Sequence, residues 1–191
     1  MDLRSLWKCI FVMVDVSQSF SLGCKWIQHR YKDMSRDSLQ LVTHMLGKEV
    51  VINEEHVENI TSPGGVYITI SQVSNISIIY KVLHHISKLY NGNMDSVRWD
   101  REKLDRFQSN LHTQTAHLKQ CMDKEVIHSS GDHGKENQRI IHYFKKLENY
   151  LKRKKNSAHA WEIIRTQVWK HLQRLDLITA SLRTPRNTSH V

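Results

Sequence analysis

The sequence predicts an all-α protein: an up-up-down-down bundle of five main helices with a long first connection. Three observations carry that prediction. Apolar residues recur at alternating steps of three and four through the long segments, the spacing that draws one stripe along a helix. Only two prolines occur, Pro63 and Pro185, so nothing rigid interrupts the chain between them. Residues 48 to 70 lack a helical period and hold β-branched residues around Pro63-Gly64-Gly65, which reads as a long overhand loop. Helices with such a first connection pack most simply with the first two running parallel.

From the N-terminus, residues 1–23 read as a secretory signal. Arg4 and Lys8 form the basic region, "CIFVMVDV" is a short apolar core interrupted by Asp15, and Ser21-Leu22-Gly23 place small residues before Cys24. Residues 24–191 then form a single domain with a flexible tail from about 183. Its first helix is expected over about 35–47 on Leu39, Val42 and Leu46, ended by Gly47. The second covers 71–92 on Ile76, Ile79, Leu83, Ile86 and Tyr90, with Ser71 or Ser74 as cap and Asn91-Gly92-Asn93 as stop.

The third spans 97–122 on Leu104, Phe107, Leu111, Thr115, Leu118 and Met122. Ser96 is its expected cap, and Asp100 and Glu102 in the first turn complement the helix dipole. A polar stretch, "HSSGDHGKEN", precedes a fourth helix over 137–155 on Ile140, Phe144, Leu147 and Leu151. That helix ends in "LKRKK", where cations suit the dipole at a C-terminus. The fifth runs from Asn156 or Ser157, its cap, to about Ser181.

A chain of 191 residues is one domain with room for a real core. Its formal charge of +9 suits nucleic acid, an acidic membrane surface or an acidic protein equally. No apolar run after residue 23 approaches the roughly 20 residues of a membrane span, so membrane insertion is not expected. Loss of residues 1–23 removes Cys9 and leaves Cys24 and Cys121, an even count that reads as a disulfide in an exported protein and as two thiols in a cytosolic one. Three sequons, at Asn59, Asn75 and Asn187, are compatible with export and are candidates for glycosylation.

Thirteen histidines invite a metal hypothesis, yet none are at ligand spacing on one helical face, and most are expected to be solvated. No phosphate-cradling glycine loop, nucleophile elbow or redox cysteine pair occurs. The expectation is therefore a binding protein without cofactor or metal, not an enzyme.

The last helix indicates where binding would occur. Ile164, Val168, Leu172, Leu175 and Ile178 share a sector of about 120° with Trp161, a core-facing stripe. Arg165, Trp169 and Gln173, with Thr166 and Lys170 beside them, fall outside it as a mixed aromatic and polar strip. Trp and Arg often dominate protein interfaces because each covers a large rigid area and still hydrogen-bonds. Trp169 either faces a partner or lies at the core margin with its indole nitrogen reaching water.

Cys24-Lys25-Trp26, "NMDSVRWD" (93–100), Cys121 and above all "SAHAWEIIRTQVWKHLQRLD" (157–176) resemble the type I interferons of bony fish. The similarity covers most of the chain from Cys24 to about Ser181, and the last motif, Ala160-Trp161-Glu162 with Arg165 one turn on, is highly specific. The resemblance implies a helical cytokine fold and a secreted, monomeric antiviral cytokine of innate immunity. Such a protein bridges two chains of a class II cytokine receptor and activates Janus kinases and STAT factors. It also implies a disulfide between Cys24 and Cys121, the two-cysteine subgroup, with His159 where many relatives carry another cysteine. Arg165, Thr166, Trp169, Lys170 and Gln173 match the strip that contacts the higher-affinity receptor chain. Residues 50–75 depart from the family's pattern, so no contacts carry over there. The alternative from a different class is an intracellular helical protein that binds nucleic acid through "LKRKK", although no aromatic residues interleave that run.

Overall fold

A computed structural model describes residues 25–45, 76–125 and 134–183, and among these the secondary structure is entirely helical. The expected signal segment, Cys24, the expected long first loop with Asn59 and Asn75, most of the polar stretch before the fourth helix, and the expected tail with Asn187 lie outside the described residues. The elements are α1 (Lys25–His29), α2 (Tyr31–His44), α3 (Ile76–Tyr90), α4 (Arg101–Glu125), α5 (Gly134–Arg153) and α6 (Ala158–Arg183). Only Arg30 separates α1 from α2. Its amide donates to Trp26 O at 2.8 Å and its carbonyl accepts from Met34 N at 3.3 Å, so the pair acts as one helix.

Contacts between helices give their directions. Arg106 and Asn110 of α4 both reach Asp37, while the Asp100 amide donates to Met45 O at 3.0 Å, so α4 runs antiparallel to α2. Gln108 donates to Tyr90 O, which sets α4 antiparallel to α3 as well. Along α3 and α5 the partners advance together: Lys81 with Asn137, His85 on Phe144, Lys88 with Glu148. Those two helices are therefore parallel. A tight link at residues 154–157 returns the chain, and α6 runs back beside α2 and α5. Thus α2 and α3 go up and α4 and α6 come down, the expected arrangement, with α5 as an additional upward helix between the two descending ones.

Three boundaries differ from the sequence expectation. The first helix begins at Lys25 rather than near 35, because its buried stripe continues backwards through Tyr31 and Ile27. Ser35 and Ser38 occupy buried positions in that stripe, and Ser38 accepts a hydrogen bond from Gln114 Nε2 at 2.9 Å. Two serines on the inner face hide the period from any apolar pattern. The third helix begins at Arg101, and its cap is Asp100, whose carboxylate accepts the Lys103 amide at 3.1 Å. Ser96, the expected cap, instead sends its hydroxyl to Asn156 O across the top of the bundle. The fourth helix starts three residues early, at Gly134.

The stripes predicted for α3 to α6 form one core. Ile79, Leu83, Ile86, Phe107, Leu111, Leu118, Phe144, Leu147, Ile164, Val168 and Leu175 are all buried within it. Helix α6 lies deepest, since Ala160, Ile163, Gln167, His171 and Thr179 are buried in addition to the expected stripe. A helix enclosed on most sides by neighbours has little solvent face to define an amphipathic pattern. His171 is the clear departure from the expectation of solvated histidines, at 1% exposure.

Candidate binding surface on the last helix

Helix α6 is launched by a strained link. Lys155 and Asn156 both adopt positive φ, 52° and 50°, which L-residues rarely occupy and asparagine tolerates best. Neighbouring backbone bonds hold them there, Lys155 N to Lys152 O at 3.0 Å and Asn156 N to Leu151 O at 2.8 Å. Ser157 then caps the helix, accepting the Ala160 amide at 3.4 Å.

The first turn of α6 is devoted to the interior. Trp161 is 1% exposed and donates its indole N–H to Asn93 O at 3.0 Å. Its ring lies edge-on to Tyr90 and Trp99, with centroids 5.9 and 6.1 Å away. Glu162 receives the Trp99 indole N–H on Oε1 and the Arg165 Nε on Oε2, the latter at 2.9 Å. Arg165 also donates from Nη1 to Val42 O at 2.8 Å. That carbonyl belongs to the last turn of α2, where helix carbonyls have no intrahelical partner. One arginine therefore neutralises a buried carboxylate and caps a neighbouring helix. Burial pushes the adjoining Tyr90 hydroxyl above its ordinary range, with Glu162 adding to the rise and Arg165 opposing it.

The two motifs that resembled a family thus dock on one another: residues 93–100 supply Asn93 O and Trp99, and residues 160–165 supply Trp161, Glu162 and Arg165. Its angle on the helix assigns Arg165 to the outer strip. The structure turns its guanidinium inward, leaving 12% of the side chain exposed. The helical angle does not reveal Trp99 and Glu162 as partners, although an acid three residues before Arg165 is a local signal of an ion pair.

The rest of the strip lies where the helical angle put it. Thr166 is half-buried and donates its hydroxyl to Glu162 O at 3.0 Å. Trp169 is half-buried and packs on the rim of the core. Lys170 and Gln173 are exposed. Trp169 therefore occupies the boundary itself, with one part against the bundle and another presented outward beside Lys170 and Gln173.

At the other end of the bundle, Trp26 stacks on His117 with centroids 4.9 Å apart. Trp26 lies two residues after Cys24, and His117 lies one turn before Cys121, which is buried. No described helix is long and apolar enough to cross a membrane.

Comparison with known proteins gives one consistent result. The family model described as the interferon alpha/beta domain matches residues 27–182. The chain is 34% identical over 180 residues to interferon a3 of Oncorhynchus mykiss, covering 92% of this chain and 96% of that protein. It is 23% identical over 173 residues to interferon epsilon of Homo sapiens, covering 88% and 83% respectively. Among solved structures, zebrafish interferon 1 matches with a TM-score of 0.71 at 31% identity, across 84% of this chain and 100% of that one. Zebrafish interferon 2 shares the fold with a TM-score of 0.64 at 24% identity, over 77% of this chain and 96% of that one.

Proposed function

This chain belongs to the interferon alpha/beta family and is an interferon cytokine, not an enzyme; on that premise we propose that it is secreted and bridges two chains of a class II cytokine receptor. Bridging would bring the receptor-bound Janus kinases together and activate STAT factors, giving an antiviral response. The mechanism needs no catalysis, only a rigid body that holds two binding faces at a set distance. Residues 1–23 are removed as a signal, and the mature chain acts as a monomer, with sugar at Asn59, Asn75 or Asn187. Family membership leaves the intracellular nucleic-acid alternative without support.

The observation that carries the receptor site is the outward part of α6. Trp169 is fixed on one side by the core and presents the other beside exposed Lys170 and Gln173. A pre-anchored indole loses little conformational freedom on binding, which favours it as an interface hot spot. Thr166 completes the contact strip. Arg165 serves the same surface from beneath, since its bonds to Glu162 and Val42 O set how α6 sits against α2. The basic charge of the chain would speed encounter with acidic receptor surfaces more than it would tighten the final complex.

The decisive experiment measures binding of Trp169→Ala to immobilised ectodomains of the two receptor chains. A loss of about 2 kcal/mol or more in affinity for one chain, with the helical content retained, is the expected result. Unchanged affinity for both chains would remove Trp169 from the site. Secretion is tested separately, by the intact mass of protein in the medium of expressing cells, which should begin at Cys24.

A further inference from the structure

Charge is distributed unevenly over the bundle. On α4, Arg101 pairs with Asp105 at 3.6 Å, Lys103 with Asp100 at 2.8 Å and Arg106 with Asp37 at 2.9 Å. Helix α5 differs. From residue 138 to residue 155 the helix and the link after it carry seven cations, Arg139, Lys145, Lys146, Lys152, Arg153, Lys154 and Lys155, against one acid, Glu148. That acid is already engaged by Lys88 of α3, at 3.0 Å. All seven cations are exposed. Among the described residues, Arg139, Lys145, Lys146, Lys152, Lys154 and Lys155 have no acidic partner. Seven positive charges against one negative give +6, so this one helix and its end hold most of the chain's formal +9.

Cations at a helix C-terminus suit the dipole, which accounts for the run at 152–155 but not for the rest. Arg139, Lys145 and Lys146 lie two turns or more before the end. Positions seven apart fall almost in line on a helix, so Arg139, Lys146 and Arg153 form one row and Lys145 and Lys152 a second. Successive members of a row are separated by about 10 Å along the axis. His142 and Asn149, both exposed, lie between the rows. Two parallel cationic rows along a helix match an extended polyanion, not a compact anion.

We propose that the outer face of α5 binds a linear sulfated polysaccharide of the cell surface or extracellular matrix, through Arg139, Lys145, Lys146 and Lys152. Guanidinium and ammonium groups bond the sulfate oxygens, and release of counterions supplies much of the affinity. The polyanion class follows from the chemistry of the face. Its one large exposed apolar residue is Ile141, at 52%, while Ile140, Phe144 and Leu147 are committed to the core, so it has no apolar side to insert into a lipid surface. It exposes no Phe, Tyr or Trp ring on which a base could stack, since Tyr143, Phe144 and Tyr150 are buried. The face is also separate from the receptor strip, because His171 points from α6 toward Tyr143 of α5 whereas Arg165 points toward α2. The proposal rests on the extracellular placement proposed above.

The test uses the mature chain and a variant with R139Q, K145Q, K146Q and K152Q together. A control of equal net charge carries K32Q, R36Q, R98Q and K119Q, all at exposed positions outside α5. Binding to heparin, to desulfated heparin, to duplex DNA and to phosphatidylserine vesicles is measured across a salt series. The parent and the control should bind heparin, with desulfated heparin bound about tenfold more weakly or worse. The α5 variant should lose about tenfold or more in heparin affinity, and its slope of log Kd against log salt should fall by roughly three to four. Equal losses in variant and control would reduce the effect to net charge and overturn the proposal. Tighter binding to DNA or vesicles than to heparin would also overturn it. Circular dichroism checks that both variants fold. Receptor binding of the α5 variant keeps the two ideas apart: it should be unchanged, whatever happens with heparin.

Discussion

The indole N–H of Trp99 donates to Glu162, sixty-three residues further along the chain, inside the roof of the bundle. The same carboxylate accepts Arg165, which in turn reaches Val42 O at 2.8 Å. Two helices, α2 and α6, and the connection between α3 and α4 are joined through one buried acid. Removing a single member of such a network leaves the others desolvated and unpaired.

Glu162→Ala should therefore destabilise the protein by about 3 kcal/mol, because the Trp99 donor loses its acceptor and the Arg165 cation its buried counter-charge. Glu162→Gln keeps an acceptor for one of them and should lose about half as much. Thermal unfolding followed by circular dichroism, with both variants beside the parent, measures this. Melting temperatures within a degree of the parent for Glu162→Ala would show that the network contributes nothing to stability.

The inward turn of Arg165 separates scaffold from surface on a single helix. Arg165→Lys should cost about 1–2 kcal/mol in stability, since one ammonium cannot span Glu162 and Val42 O as the guanidinium fork does. Lys170→Ala and Gln173→Ala, on exposed side chains, should change stability by less than about 0.5 kcal/mol. Chemical denaturation of the three variants tests the division; a large loss for Lys170→Ala would place that residue in the scaffold.

Acid should weaken this fold through His171. Its imidazole is buried, meets the Tyr143 hydroxyl at 3.0 Å and lies 5.7 Å from the Phe144 ring. Burial first, and Arg174 second, hold its pKa down to about 3, from an ordinary 6.5. Below about pH 6.5 the unfolded chain takes up a proton that the folded chain refuses, so stability is full above that value. It then falls by up to about 1.4 kcal/mol per pH unit on the way down to about pH 3. His85, stacked on Phe144 at 5.0 Å, is shifted the same way by burial, then by His84 and Lys88, with Glu148 opposing. His171→Gln retains a hydrogen-bonding group without the titration. Its melting temperature relative to the parent should rise steadily from pH 7 to pH 4; a constant difference would exonerate the imidazole.

The stacking of Trp26 on His117 supports a disulfide between Cys24 and Cys121. Those rings bring Trp26, two residues after Cys24 in the sequence, alongside the turn of α4 that precedes Cys121. Secreted protein should be lighter by two protons than the reduced form, and Cys24→Ser with Cys121→Ser should lose about 2–4 kcal/mol in stability while still binding receptor. Identical masses with and without reductant would remove the bridge.

Much of this was legible along the chain. The period of apolar residues is enough for α3 to α6, because Ile, Leu, Phe and Val recur along the inner stripe of each. The first helix is only partly legible for the opposite reason: Ser35 and Ser38 sit on its inner face, and Gln114, seventy-six residues further along, satisfies Ser38. No local pattern contains that partner. The cap of α4 was displaced for a similar reason, since Ser96 finds Asn156 O only after the chain has returned to the top of the bundle.

By itself, the sequence determined the helical class, the family and the sector of α6 that faces inward, because each is written in residue type and spacing over a few turns. Tertiary structure alone decided what the individual strip residues do. An angle on a wheel assigns Arg165 and Trp169 to the same outer edge. A long, flexible guanidinium can fold back to a buried carboxylate and an orphan carbonyl, whereas a rigid indole stays at the margin where its backbone sets it.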